Sequence, residues 1–506
     1  MAFNAMEMEA ALYPQPDHRR SIYATVCAIL ASMSSILVGY NIGVMSGAAT
    51  FIQEDMKISN VQLEILMGIL SIYSLLGSAV TGRTSDWIGR RLTIVLSGCF
   101  FFSGGVLMGF AKNYASMMVG RFITAIGVGY TIVIVPIYTA EISPASSRGF
   151  LSSFPEIFIN IGILLGYVSN YIFAKLPDHL GWRFMLGIAA IPAAFFAIGV
   201  LAIPESPRWL VLQGRLADAM KVLEKTSDTR DEAISRLDEI KRAVGIPDDM
   251  HGDIIEVPKN KSHGKGVWKE LLVNPTPAVR HVLVACLGVH FFQQASGIDA
   301  IVLYSPTIFS RAGMKSKHDQ LLTTVSVGVV KTVFIIVGTC FVDRFGRRAL
   351  LLVSMGGMFL SLVTLGSCLS VIEEQPSKQV GWAIKLSVTT VMVYVATFSI
   401  GAGPVTWVYC AEIFPVRLRA QGASIGVMLN RVTSGIVSMS FLSLSHTITT
   451  SGTFQLFAIL SLMAWFFFFT VLPETRGKPL EEMETLFGSI TSREKTIVAG
   501  KDIDRR

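Results

Sequence analysis

Long apolar runs separated by short polar stretches dominate this chain. Residues 21–53 and 432–473 contain no Asp, Glu, Lys or Arg, and several other runs of about 20 residues are nearly as clean, the length an α-helix needs to cross a hydrocarbon core. The pattern predicts twelve spans, at about 22–46, 61–82, 92–111, 115–137, 151–174, 184–203, 280–305, 320–342, 349–371, 384–409, 419–443 and 453–472. The seventh breaks the apolar rule. Residues 293–305 read QQASGIDAIVLYS, and two amides, a carboxylate and a tyrosine at that depth each need a cavity or a partner. On an unbroken helix turning about 100° per residue, Asp299 would point roughly 140° away from Gln294. The two share a face only if the backbone unwinds near Ser296-Gly297, which glycine tolerates and which membrane depth allows where the chain lines a cavity. The stretch is therefore expected to form one wall of a polar binding site.

Composition agrees: the chain is 506 residues, 51% hydrophobic and 16% charged, with a mean hydropathy of +0.54, outside the soluble globular range. Residues 1–20 are polar, with no short apolar core and cleavage site of the kind a secretory leader carries. With twelve spans, both termini and the long middle loop then fall on the cytoplasmic side, where most of the 43 Lys and Arg also lie, the bias topology imposes. The formal charge of +7 thus calls for a bilayer and for no nucleic acid. The six cysteines are scattered, without metal or disulfide spacing, and core packing is expected of them. The dispersed histidines form no metal motif, and no nucleophile or paired catalytic groups point to an enzyme or a cofactor.

Internal repetition sets the architecture. Asp86-Trp87-Ile88-Gly89-Arg90-Arg91 returns as Asp343-Arg344-Phe345-Gly346-Arg347-Arg348, residues 141–148 return as 412–419, and Pro204-Glu205 as Pro473-Glu474, all at nearly constant offset. One six-span unit has been used twice in the same orientation. The expected fold is an all-α membrane protein of two pseudo-symmetric six-helix bundles, the major facilitator architecture, with the substrate held between them. The divisions are a cytoplasmic tail (1–21), a first bundle (22–204), a cytoplasmic linker with short helices (205–279), a second bundle (280–473) and a cytoplasmic tail (474–506). Arg83, Asp86, Arg90, Glu141, Arg148 and Glu205 in one half, with Asp343, Arg347, Glu412, Arg419 and Glu474 in the other, read as a cytoplasmic gating set whose ion pairs across the cytoplasmic gap hold the outward-open state and break for the inward-open one.

The motifs GRTSDWIGRR, PESPRWL, QQASGIDA, GPVTW and PETRG, spread over nearly all of residues 22–480, resemble the sugar porter family of the major facilitator superfamily. TAEISPASSRGFL, HFFQQASGIDA and NRVTSG are most similar to plant polyol and monosaccharide transporters. The resemblance implies a monomeric secondary transporter, of the plasma membrane, that binds a sugar or polyol and couples it to a proton. It also assigns sugar contacts to Gln293, Gln294, Asn430 and the aromatic wall Trp407, beside a Gly403-Pro404 step expected to break the tenth span. Asp299, Glu156 and Lys331 fall where many members carry amides, and Tyr304 joins the set from the polar stretch itself. Lys331 is also a counter-ion for Asp299 or Glu156. Hydroxyl-rich ligands need such acceptors and donors in fixed places.

The proton assignment meets an obstacle at residue 41. Gly39-Tyr40-Asn41-Ile42-Gly43 matches a family motif in which proton-coupled members carry aspartate, the partner of the arginine matched by Arg121. An acid facing an arginine can release it on protonation; an amide cannot titrate. Leaving aside Glu64 near an outer end, the intramembrane set then holds three cations, Arg121, Lys331 and Arg431, against two carboxylates, Glu156 and Asp299. Three readings stay open: a facilitator, coupling through Glu156 or Asp299, or an aspartate changed to asparagine at this position. A sugar sensor on the same fold is the alternative of another class.

Overall fold

The computed structural model describes residues 18–475 apart from 145–146, 245, 247–270, 272, 274, 375–379 and 415–417. These residues form helices and no strand. The first set comprises α1 (His18–Ser32), α2 (Ser34–Met56), α3 (Asn60–Ile88), α4 (Arg90–Gly109), α5 (Tyr114–Ile142), α6 (Arg148–Leu151), α7 (Phe154–Phe173), α8 (Asp178–Gly187) and α9 (Ala190–Val200). Three short helices follow in the linker, α10 (Pro207–Leu212), α11 (Leu216–Thr226) and α12 (Arg230–Val244). The second set comprises α13 (Pro277–Ala295), α14 (Ile298–Arg311), α15 (Lys317–Phe345), α16 (Arg347–Glu374), α17 (Gly381–Ile400), α18 (Ala402–Ile413), α19 (Arg419–Thr447) and α20 (Thr450–Val471).

Among the described residues, eleven stretches are long and apolar enough to cross a membrane. The predicted seventh span falls outside that tally because it is cut into α13 and α14, and the pair brings the count to the expected twelve. Phe195, Ile198, Val353 and Leu360 are each more than 60% exposed, an outward face suited to lipid tails rather than water. Helix starts follow local chemistry. Ser59 and Asn113 make capping boxes with Gln62 and Ser116, while Thr276 caps α13 with Pro277 just inside it, where its missing N–H costs nothing.

Several boundaries differ from the sequence reading, two of them for reasons the local contacts and backbone show. The first span continues to Met56, because its polar end is partnered: the Trp182 indole donates to Asp55 at 3.0 Å, and Lys317 reaches Glu54 at 2.9 Å. The tenth span breaks at Gly401 (φ −124°, ψ −75°), ahead of the expected Gly403-Pro404 step. Pro404 instead sits in the first turn of α18, where a helix needs no N–H from it.

The halves meet at α2 against its counterpart α14, and at α3 against α19 and α7 against α15. Under the repeat, the last two pairs exchange places. Gly68 and Gly435 let α3 and α19 approach closely; a Cβ on Gly68 would stand 2.6 Å from Met439 and one on Gly435 2.5 Å from Ile72. Among the described residues, the hydrogen bonds joining the halves run from the face opposite the linker to mid-depth. They include Ser443 to Glu64 at 2.7 Å, Tyr167 to the Val302 carbonyl at 2.8 Å, Ser71 with Ser434 at 2.9 Å and Thr332 to the Asn160 carbonyl at 3.3 Å.

Candidate functional site

The broken seventh span organises the site. Gly297 takes φ +89°, a left-handed conformation natural only to glycine, and a Cβ there would lie 2.6 Å from the Phe457 ring. Ser296 steadies the turn by donating to the Gln293 carbonyl at 2.7 Å, and Tyr394 donates to the Ser296 carbonyl at 3.0 Å. α14 then restarts with Asp299 in its first turn, the end at which a carboxylate is electrostatically favoured.

Around that break the amides interlock. Gln293 donates to the Ala402 carbonyl at 2.7 Å and the Gly403 carbonyl at 3.3 Å, so it tethers α13 to the start of α18. Asn430 donates to Gln293 Oε1 at 2.7 Å and to the His290 carbonyl at 3.3 Å. Its Oδ1 accepts from Gln294 at 3.2 Å and from Arg431 at 3.1 Å. Both polar atoms of the Gln293 side chain have protein partners, whereas Gln294 Oε1 is buried with no partner. An unmatched acceptor at membrane depth is costly, and it is what a ligand hydroxyl would satisfy.

An aromatic side flanks this cluster. The half-buried Trp407 lies edge-on to His290 with centroids 5.3 Å apart, and the Arg431 guanidinium stands 5.9 Å from its ring. Asp299 accepts a short hydrogen bond from Ser434, whose Oγ also meets Ser71 of the other half. Across the seam, Glu156 accepts from Asn160 at 3.4 Å. Lys331 is buried with its ammonium 5.9 Å from the Phe398 centroid. Lys331 and Arg431 both act electrostatically on Glu156 and Asp299 without an ion pair within 4.0 Å among the described residues. Tyr304 stands apart: its hydroxyl donates to the Ser438 carbonyl at 2.8 Å and its ring packs on Phe441, which commits it to α14–α19 packing. Arg431 and Ser434 were not singled out as binding residues from sequence, although both follow Asn430 within the NRVTSG motif.

At residue 41 the amide donates to the Leu37 carbonyl of its own helix at 2.8 Å. Arg121 is fully buried and is solvated by backbone alone, donating to the Leu66 carbonyl at 3.1 Å, to Met67 at 3.3 Å and to the Asn41 carbonyl at 3.5 Å. Among the described residues no carboxylate pairs with it.

The linker face carries two copies of one network. Arg90 pairs with Glu141 at 3.2 Å and Asp86 at 3.1 Å; Arg347 pairs with Glu412 at 2.8 Å. Glu205 accepts from the N–H of Arg90 at 2.8 Å, and Glu474 from that of Arg347 at 2.9 Å, each carboxylate resting on a helix N-terminus. Gly89 and Gly346, at φ +93° and +88°, make room for those carboxylates. Burial pushes the Glu205 carboxyl above its usual range, opposed by these backbone donors. Arg83 is exposed, and the side chains of Arg148, Asp343 and Arg419 lie outside the described residues. The described pairs each close within one half rather than across the gap.

Comparison with known proteins fits this geometry. Residues 27–487 match the family model described as "Sugar (and other) transporter". The Arabidopsis thaliana protein named "Putative polyol transporter 1" is 73% identical over 487 residues, covering 96% of this chain and 95% of its own length. Polyol transporter 5 of the same plant is 61% identical over 484 residues, covering 96% and 90%. Among solved structures, the proton:xylose symporter XylE bound to 6-bromo-6-deoxy-D-glucose superposes with a TM-score of 0.75 at 27% identity, over 92% of this chain and all (100%) of that one. The inward-open form of XylE from E. coli gives a TM-score of 0.74 at 26% identity, again over 92% and 100%. The chain belongs to the sugar transporter family, within the major facilitator superfamily, and its relatives are transporters rather than enzymes.

Proposed function

We propose that this chain is a secondary transporter that moves linear polyols and monosaccharides across a membrane by alternating access, its two halves rocking about the pocket beside the seventh-span break. The observation that carries the reading is the unmatched Gln294 Oε1 beside an amide cluster otherwise closed on itself. Hydroxyl donors of a polyol complete it, and Trp407 offers an apolar face for C–H groups. Hydrogen bonds between the halves from mid-depth to the face opposite the linker support a form open toward the linker. The gating role of the repeated charge networks belongs to this proposal. So do the bundle and linker boundaries, the cytoplasmic termini, the plasma-membrane location and the monomeric state. Counterflow of labelled sorbitol or glucose in proteoliposomes tests transport; specific binding without counterflow would make the protein a sensor instead.

For coupling, we propose symport with a proton carried at Glu156 or Asp299. These carboxylates share the fields of Lys331 and Arg431, so a change of charge on either alters what holds the pocket together. Uptake that depends on an imposed pH gradient and loses that dependence in Glu156→Gln or Asp299→Asn is the expected result. A facilitator is the second reading, favoured by the amide at Asn41 and by the pairing of Arg121 with carbonyls alone; uptake indifferent to the gradient would establish it.

A further inference from the structure

Cys286 and His290 lie one turn apart on α13, so both point to the same side. Cys410 comes to them from α18. The three side chains are at most 2% exposed, and their candidate ligand atoms all lie within 4.8 Å of one another. The fourth side is closed by backbone: a Cβ on Gly426 of α19 would stand 2.6 Å from Cys286 Sγ and 2.5 Å from the His290 ring. The Cδ2–Nε2 edge of His290 faces Gly426 together with Cys286 Sγ, which turns Nε2 toward the thiols; Nδ1, on the other edge of the ring, is buried with no hydrogen-bond partner. The sequence could not show this cluster, because one ligand sits more than a hundred positions from the other two.

We propose that Cys286, His290 and Cys410 form a buried site for a d10 divalent cation of the zinc and cadmium class. Two thiolates and one imidazole suit that class. Their charges also select it over a monovalent ion: two thiolates and a neutral imidazole sum to zero around M²⁺, which an apolar interior accepts. Binding replaces two S–H bonds by two metal–sulfur bonds and releases two protons to solvent. Metal–sulfur distances near 2.3 Å need only a small contraction of the cluster. The site ties α13 to α18, the two pieces also joined by Gln293 through the Ala402 and Gly403 carbonyls. A bound ion therefore clamps the broken tenth span against the broken seventh and arrests turnover.

The probe is Cd²⁺ added to the purified full-length protein, followed by desalting and cadmium X-ray absorption. One cadmium per chain with two sulfur ligands and one nitrogen is expected. It should be retained when the exposed Cys99 and Cys340 are both changed to Ser, and weakened by more than about 100-fold in Cys286→Ser or Cys410→Ser. Retention of no cadmium by the wild-type protein overturns the site, as does oxygen-only coordination or a single sulfur. These wild-type measurements decide the matter even if a cysteine variant fails to fold, and they stand apart from any transport reading. Cadmium should also slow counterflow in the Cys99→Ser/Cys340→Ser protein but not in Cys286→Ser.

Discussion

Replacing Gln294 by alanine separates a ligand contact from a structural one. In the protein, the Gln294 side chain makes a single hydrogen bond, to Asn430 Oδ1 at 3.2 Å, and that oxygen keeps Arg431 at 3.1 Å after the change. The fold should lose only about 0.5–1.5 kcal/mol. On the ligand side, a hydroxyl that donates to Oε1 is left without an acceptor, which costs about 1–3 kcal/mol and weakens binding roughly five- to 150-fold. Gln293→Ala is the internal control. It removes three hydrogen bonds, to Ala402, Gly403 and Asn430, and should destabilise the protein by about 2–4 kcal/mol. Scintillation proximity binding of labelled sorbitol in detergent, with melting followed in parallel, reads both quantities. If Gln294→Ala binds within about twofold of wild type, or if the two variants melt alike, the division of labour assigned to these amides is wrong.

Further expectations rest on other parts of the molecule. Asn41→Asp places a titratable group beside Arg121, whose guanidinium already touches the residue 41 carbonyl at 3.5 Å; uptake should become more dependent on an inward pH gradient, and an unchanged ratio with and without the gradient would count against a coupling role there. Gly297→Ala imposes about 1–2 kcal/mol of backbone strain plus contact with Phe457, so melting should fall and counterflow should largely disappear; wild-type behaviour would mean the break is dispensable. Arg347→Ala removes the cation from Glu412, which keeps its hydrogen bond from Thr475 at 2.8 Å, at a pair whose side chains are 13% and 24% exposed, a loss of about 1–3 kcal/mol after allowance for solvent; turnover should fall while KM stays within about threefold. Burial raises the Glu205 carboxyl above 4.5, so its contribution to stability is fully present below the unfolded value and fades as pH climbs through the raised one. The melting temperature of wild type minus that of Glu205→Gln should therefore decline as pH rises from 4.5, and a difference that grows would reverse the assignment.

Much of this was legible in the chain because bilayers constrain sequence severely. Span number, the repeat and the interruption at Ser296-Gly297 all follow from hydropathy, offset and one glycine between polar groups. The tenth span breaks at Gly401 rather than at Gly403-Pro404, since proline is the louder signal in a sequence and here it merely follows the kink. Tyr304 shared a polar stretch with Asp299 yet faces Ser438, because the restart of the helix at Ile298 reassigns every face after it. Glu205 and Glu474 belong to the expected gating set; their oxygens accept from the backbone N–H groups of Arg90 and Arg347, an outcome that depends on which helix N-terminus lies above them. The thiol and imidazole cluster was beyond reach, as local spacing carries no information on contacts between distant helices.

The self-contained wiring of each half has a consequence for protein engineering. Because the described ion pairs of the linker face are settled internally, what a partner half must match is a short set: the close approach at Gly68 and Gly435 and, toward the other face, the Lys317–Glu54 pair and the Ser443–Glu64 hydrogen bond. Chimeras that graft the first half of this chain onto the second half of a related transporter should assemble. Their substrate preference would then report how much of the choice each side of the pocket makes.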